Sequence, residues 1–260
     1  MNRILIGTSG YSYSDWVGSF YPPGTRQSEY LRFFSAHFNT TELNFTYYRQ
    51  PEAGMIKRMA ETVGDDFTFS VKAHRTLTHD IDPAQRVRET QTFMQGVEPL
   101  LIDSKLASVL LQFPHSFHYT STNRKYLDAL CNGFGEIPLA VEFRGRDWQR
   151  ESVYKELESR KLALVNVDEP RLPKLPKPTA LVTSDLAYVR FHGRNRKNWW
   201  CGDNVSRYDY SYSEEELKEW IPKIRLMQEI AGVVLLVFNN HSKGQAVRNA
   251  LKLREMLGRE

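Results

Sequence analysis

The stretch Ala187-Tyr188-Val189-Arg190-Phe191-His192-Gly193-Arg194 constrains the fold more than any other part of the chain. Read with the two-residue period of a strand, Ala187, Val189 and Phe191 share one face and Tyr188, Arg190 and His192 the other, and Gly193 opens a loop. A guanidinium buried without a partner is heavily penalised, so the second face must look onto polar groups while the first packs on an apolar layer. Other predicted strands repeat this division, which turns one odd strand into evidence for a shared polar centre.

Taken in order, the predicted strands are Ile4 to Thr8, Thr41 to Phe45, Phe67 to Lys72, Leu106 to Phe113, Leu139 to Arg144, Leu162 to Asp168, the stretch above, and Val233 to Phe238. Between them, helical spacing or helix-start signals predict helices from Ser28 over about ten residues, from Pro51, from Pro83 to Leu101, near Asn123 to Leu130 and from Glu151 to Arg160. Further helices are predicted from Ser213, which opens a capping pattern, to about Ile230, and from Ala246 to Leu257. Between Glu169 and Asp185 the prolines at 170, 173, 176 and 178 forbid a regular helix and predict an extended connection.

Strands that alternate with helices, with no linker between halves, predict one domain over residues 1–260: an irregular TIM-like (β/α)₈ barrel whose helix after strand 6 is replaced by the proline-rich segment. A doubly wound open sheet is the alternative, but Gly7-Thr8-Ser9-Gly10 lacks the G-x-G-x-x-G spacing of a dinucleotide fold. Two cysteines, Cys131 and Cys201, are too few for a disulfide framework and lack metal-ligand spacing. Met1-Asn2-Arg3 leads straight into a strand-like run with no signal-peptide layout, and no apolar run approaches a membrane span, so a cytoplasmic protein is expected. A net charge of +4 permits an anionic partner without requiring one.

In barrels of this kind, functional groups gather where the strands end. The inward candidates at those ends are Glu42, Asn44, Lys72, Gln112, Glu142, Arg144, Asp168, Arg190, His192 and Asn240, with Asn239 beside the last. They could simply neutralise one another, but buried ion pairs contribute little to stability, and a ligand pocket accounts better for so many at one end. Arg49, Arg75, Arg194 and His79 lie on the loops just beyond, where guanidinium forks suit phosphate or carboxylate. Tyr11, Tyr13, Trp16, Tyr48, Trp199 and Trp200 add flat faces for bases or sugars.

Cations interleaved with aromatics favour a phosphate-bearing or nucleic-acid-like ligand. Glu142, His192 and Asp168 are the nominated proton-handling groups, since acid–base work needs paired groups with pKa values pushed apart. No cofactor is expected. A divalent ion held by Glu42, Glu142, Asp168, His79, His192 and His241 is the weaker alternative, because no H-x-H or H-E-x-x-H spacing occurs and the neighbouring cations oppose it. The expected partner is a small anionic ligand handled by a hydrolase or lyase. The alternatives are a non-catalytic binder of single-stranded nucleic acid and a carbohydrate-active enzyme, the last requiring two carboxylates about 5 to 10 Å apart across a cleft. Oligomeric state is not predicted.

With these residues in view, the chain resembles the YecE-like family, known as domain of unknown function 72. The resemblance rests on Gly7-Thr8-Ser9-Gly10-Tyr11-Ser12-Tyr13 with Trp16 and Phe20-Tyr21-Pro22, on Glu42-Leu43-Asn44 with Tyr48-Arg49, and on Phe69-Ser70-Val71-Lys72 with Thr78-His79. It continues through Leu111-Gln112-Phe113-Pro114, Val141-Glu142-Phe143-Arg144 with Trp148, Val189 to Arg194, and Phe238-Asn239-Asn240-His241 with Asn249-Ala250. One departure is Thr46-Tyr47-Tyr48-Arg49, where the familiar pattern has Phe before Tyr-Arg. The resemblance implies a TIM-like barrel and no established activity. Likeness of such barrels to endonuclease IV suggests nucleic-acid binding, but the metal-binding histidine and carboxylate cluster of that enzyme is poorly matched here.

Overall fold

The computed structural model describes residues 3–258. Met1, Asn2 and the last two residues of the expected 1–260 domain lie outside the described residues. The strands are β1 (Arg3–Ser9), β2 (Thr40–Leu43), β3 (Thr68–Lys72), β4 (Leu106–Phe113), β5 (Leu139–Phe143), β6 (Ala163–Asp168), β7 (Leu186–Phe191) and β8 (Val233–Phe238). Each pairs in parallel with its neighbours in sequence, and β8 returns to β1 through Ile4 opposite Val234 and Thr8 opposite Phe238, closing the barrel.

The alternation sorts side chains into two cores. Leu5, Leu110, Ala140, Ala163, Val165, Val167, Leu235 and Val237 fill the barrel interior. Residues of opposite parity, such as Phe69, Val109, Val141, Val189 and Leu236, meet the helices in the larger outer core. Inside, β1 and β2 approach so closely at Gly7 that a Cβ there would lie 1.9 Å from the Thr40 carbonyl oxygen, so only glycine fits.

Three expectations are corrected in detail. The second strand ends at Leu43, and Phe45–Tyr48 coils into a helical turn held by Thr46, whose hydroxyl lies 3.0 Å from the Leu43 carbonyl and 2.6 Å from that of Lys72. The helix foreseen from Ser213 to Ile230 divides into Glu214–Lys218 and Ile221–Ile230, since Pro222 has no N–H to continue the ladder. The third helix begins at Arg86 rather than Pro83.

The proline-rich segment is extended, as the sequence implies, and it does a helix's work of covering β6. Asn166 on the outer face of β6 binds it three times, accepting from Leu181 N at 2.9 Å and from the Thr179 hydroxyl at 2.7 Å and donating to the Leu181 carbonyl at 2.8 Å, while Thr183 donates to the Leu162 carbonyl at 2.6 Å. One asparagine thereby satisfies backbone that a helix would have satisfied internally.

Candidate functional site

The inward parity places Ser9, Glu42, Ser70, Lys72, Gln112, Glu142, Arg144, Glu169, Arg190, His192 and Asn239 at the C-terminal end of the barrel. Arg190 is the hub. Its Nη1 donates to Glu142 at 2.5 Å, and its Nη2 donates to Glu42 at 2.6 Å and reaches the Ser9 hydroxyl at 3.3 Å. Glu42 also accepts from Ser9, which Asn44 contacts in turn, and from the Tyr188 hydroxyl at 2.6 Å. Glu142 accepts from Arg144 Nε at 2.5 Å and from His192 Nε2 at 3.1 Å. His192 Nδ1 faces the Asn239 amide at 3.1 Å; as the acceptor there it leaves the proton on Nε2.

Electrostatics divides these groups into two kinds. Burial alone would raise the Glu142 carboxyl, but Arg190, Arg144 and His192 outweigh it and hold that group well below the carboxylate range. Burial pushes His192 down to about 3, and Arg144 adds to it, so the imidazole is neutral and its contact with Glu142 is a hydrogen bond rather than an ion pair. Two other groups are brought towards neutrality. Burial, aided by Arg190, pushes Lys72 down to about 7, and burial pushes Glu169 up to about 8 because Arg144 offsets it only in part. Both carboxyl oxygens of Glu169 lack a hydrogen-bond partner, and the closest cation, Arg144 Nη1, stands 3.6 Å away.

Above this layer opens a cavity of ≈ 570 Å³. Among the described residues four cationic side chains line it, Lys72, Arg144, Arg190 and Arg207, and no carboxylate does. Lys72 Nζ stands 4.4 Å over the Tyr47 ring, and the Arg144 guanidinium is 5.8 Å from the Trp199 ring and 3.5 Å from the Tyr208 hydroxyl. Opposite them, Tyr13 stacks on His241 at 4.7 Å with the planes 4° apart. Tyr48 and Trp200, 65% and 54% exposed, form the rim and leave the mouth open.

Of the residues singled out in sequence, Tyr13, Asn44, Tyr48, Lys72, His79, Gln112, Arg144, Arg190, Trp199, Trp200, Asn239 and His241 do line this cavity. Glu42, Glu142 and His192 lie just beneath it, fully buried. The others go elsewhere. Asp168 points outward, a correction to its inward assignment: it accepts from Trp220 Nε1 at 2.7 Å, the Tyr212 hydroxyl at 2.8 Å and Arg194 at 2.7 and 2.9 Å, which takes Arg194 out of the mouth as well. Asn240 likewise faces outward, donating to the Tyr210 carbonyl and to Asn249 at 2.8 Å each.

Trp16 is wholly buried and donates to the His241 carbonyl at 2.7 Å, so it anchors the β1 loop to the β8 loop instead of stacking on a ligand. Tyr11 packs on Phe34 and accepts, through its carbonyl, the Tyr21 hydroxyl. Arg49 contacts the Met55 sulfur on the surface, and Arg75 pairs with Asp80 there. Among the described residues no three of His, Cys, Asp and Glu gather as a metal-ligating group, so the six candidates for a divalent ion are not brought together.

Glu169, Arg207, Tyr208 and His115 were not singled out. Glu169 was legible only through parity, since β6 is apolar at Val165 and Val167 on one face and Leu164 on the other, and nothing in that pattern says which face is inside. Arg207 and Tyr208 reach the cavity through a short helical turn, Asn204–Arg207, opened by Asp203 inside the long loop.

No helix among the described residues is long and apolar enough to cross a membrane. The family model described as "Protein of unknown function DUF72" matches residues 5–260. The chain is 32% identical to the UPF0759 protein YunF of Bacillus subtilis over 98% of its own length and 94% of that protein's, and 29% identical to the UPF0759 protein YecE of Escherichia coli over 54% and 48%. Among solved structures, a DUF72 family protein from Thermotoga maritima superposes with a TM-score of 0.91 at 38% identity, covering 98% of this chain and 99% of that one. A DUF72 family protein from Enterococcus faecalis does so with a TM-score of 0.88 at 26% identity, covering 98% and 95%. Since that match runs almost from end to end and the barrel topology agrees with it, the chain belongs to the YecE-like family, domain of unknown function 72.

Proposed function

We propose that the barrel mouth binds a small organic anion bearing a phosphate or an equivalent oxyanion, and that the protein acts on it as a hydrolase or lyase. The observation that carries this reading is the cavity lining, in which cations have no carboxylate among them while the carboxylates that balance Arg190 and Arg144 lie sealed below. Arg144 and Arg207 take the anion with the Lys72 amine in the same lining, and Trp199, Tyr208 and Tyr13 flank the organic part. A volume of ≈ 570 Å³ suits a ligand of drug-like size. Glu142 and His192 serve this site by fixing Arg190 and Arg144 in place, and proton transfer falls to groups that touch the cavity, Lys72 and His79. The absence of carboxylates from the lining counts against a carbohydrate-active site, which needs two facing the substrate.

Calorimetric titration with phenyl phosphate and inorganic phosphate tests the reading. Phenyl phosphate is expected to bind more tightly than phosphate, and Lys72→Met is expected to weaken both by about tenfold or more, as loss of one charge-assisted contact does. Binding that ignores the substitution, or no binding of either anion, overturns it.

The exposed rim residues Tyr48 and Trp200 favour a second reading, in which the anion is the terminal phosphate of a single strand whose bases stack outside the cavity. An oligonucleotide affinity falling steeply with salt would support it, and one indistinguishable from that of phenyl phosphate would not.

A further inference from the structure

Two lysines inside this molecule are treated differently. Lys105 is buried and donates to the Ala60 and Val63 carbonyls at 2.7 and 3.1 Å, closing the end of the helix Ala53–Thr62. Lys72 has no such partner: among the described residues its ammonium group makes no hydrogen bond or ion pair, and it stands 4.4 Å over the Tyr47 ring. The carboxylates that might have paired with it are spent. Glu42 is occupied by Arg190, Ser9 and Tyr188, and Glu142 by Arg190, Arg144 and His192.

Around Lys72, Arg190 from β7 and Arg144 from β5 oppose a positive charge, Glu42 and Glu142 favour it from below, and His79 from the loop after β3 is itself pushed down to about 4 by burial and by Lys72. The balance gives an amine held near pKa 7 at the surface of an open cavity, with a sizeable neutral fraction under ordinary conditions. A lysine needed only to hold an anion has no use for that depression, whereas an amine nucleophile does. Arg207 lines the same cavity, with a buried Nε that has no hydrogen-bond partner.

We propose that Lys72 is an amine nucleophile that condenses with the carbonyl group of a small aldehyde or ketone, whose anionic end is taken by Arg144 and Arg207. This rests on the anion-binding reading of the cavity and names the reactive part of its ligand. The nitrogen lone pair forms a bond to the carbonyl carbon, and the carbonyl oxygen takes up a proton to give a carbinolamine. The C–O bond then breaks, the oxygen leaves with a second proton as water, and the nitrogen, having given up both of its amine protons over the two steps, is left as a neutral imine. Amine and carbonyl thus give imine and water with no change in oxidation state. The cationic form of that imine draws electrons from the neighbouring carbon, which is the chemistry a lyase needs.

Glyoxylate, which joins an aldehyde to a carboxylate, is the probe. Wild-type protein is treated with glyoxylate and sodium cyanoborohydride near neutral pH, and the reduced adduct is mapped by peptide mass spectrometry. Lys72 is expected to be labelled at least about tenfold faster than the exposed Lys57 and Lys155, acetaldehyde is expected to label it more slowly, and inorganic phosphate should protect it. In Lys72→Met the adduct should vanish from that peptide alone. Labelling of Lys72 at the rate of Lys57, or none, overturns the proposal, and phosphate binding by the same preparation would show that the anion reading survives. Fast labelling that phosphate does not slow would sustain the nucleophile and overturn the anion site.

Discussion

Arg190 and Arg194 lie four residues apart at the end of β7, each bridges carboxylates, and they differ in what their networks leave over. Outside the barrel, Arg194 joins Asp168 to Glu219, and every polar direction of Asp168 is filled by Arg194, Tyr212 and Trp220. That network ties the β6 and β7 ends to the segment carrying Glu216 and Glu219. Inside, Arg190 joins Glu42 to Glu142 just as tightly, yet its neighbours are less well satisfied: among the described residues Lys72 has no hydrogen bond or ion pair, Glu169 has no hydrogen bond, and the Arg144 Nη atoms reach only Glu169 at 3.6 Å and the Tyr208 hydroxyl at 3.5 Å. A buried charge cluster by itself therefore says little about function. Groups left unsatisfied beside a cavity say more, because each is costly unless something else occupies it.

The sharpest way to break this comparison is to remove the two guanidiniums in turn. Arg190→Met leaves Glu42 and Glu142 buried without their common counter-charge and should cost about 3 to 5 kcal/mol in urea denaturation. Arg194→Met should cost only about 1 to 2 kcal/mol, since its side chain is partly exposed and Asp168 keeps its bonds to Tyr212 and Trp220. Phenyl phosphate binding should be unchanged in Arg194→Met. If the two variants were equally destabilised, or if Arg194→Met lost the ligand, the division into a structural outer network and a functional inner one would fail.

How far each network could be read in sequence follows from the same division. Closure of the barrel was legible because the strands recur with helices between them and because the prolines between Glu169 and Asp185 mark where a helix is missing. Inward orientation was legible where a strand is visibly two-faced, as in β7 and β5, and Arg190, His192, Glu142 and Arg144 fall where their alternation places them. It failed in β6 and after β8. There both faces carry apolar residues, adjacent polar residues compete for the inward place, and Asp168 was preferred to Glu169 although only the latter faces in. The aromatic loop after β1 misled in another way: Tyr11 and Trp16 look like a stacking platform, yet Trp16 stacks on Tyr21 and Tyr11 packs on Phe34 of the first helix. Composition cannot separate a ring that packs from a ring that waits.

The last test distinguishes the inner network by pH. Glu169, whose ordinary value is 4.5, is pushed up to about 8, so between those values the folded protein keeps a proton that the unfolded chain releases, and stability falls as pH rises. Lys72, ordinarily 10.5, is pushed down to about 7, so from there upward the unfolded chain holds the extra proton and stability rises with pH. The two slopes meet in a trough whose floor lies between about pH 7 and 8, where they cancel. Urea midpoints measured from about pH 5 to about pH 10 should trace that trough in the wild type. The acid-side slope should flatten in Glu169→Gln and the alkaline-side slope in Lys72→Met, while Arg194→Met keeps both. An anion bound at Lys72 would favour its protonated form and lift the trough, so added phosphate should raise stability most near its bottom. A profile indifferent to both substitutions would mean that the inner groups are as fully satisfied as the outer ones, and the cavity would lose its claim to be more than a gap in the packing.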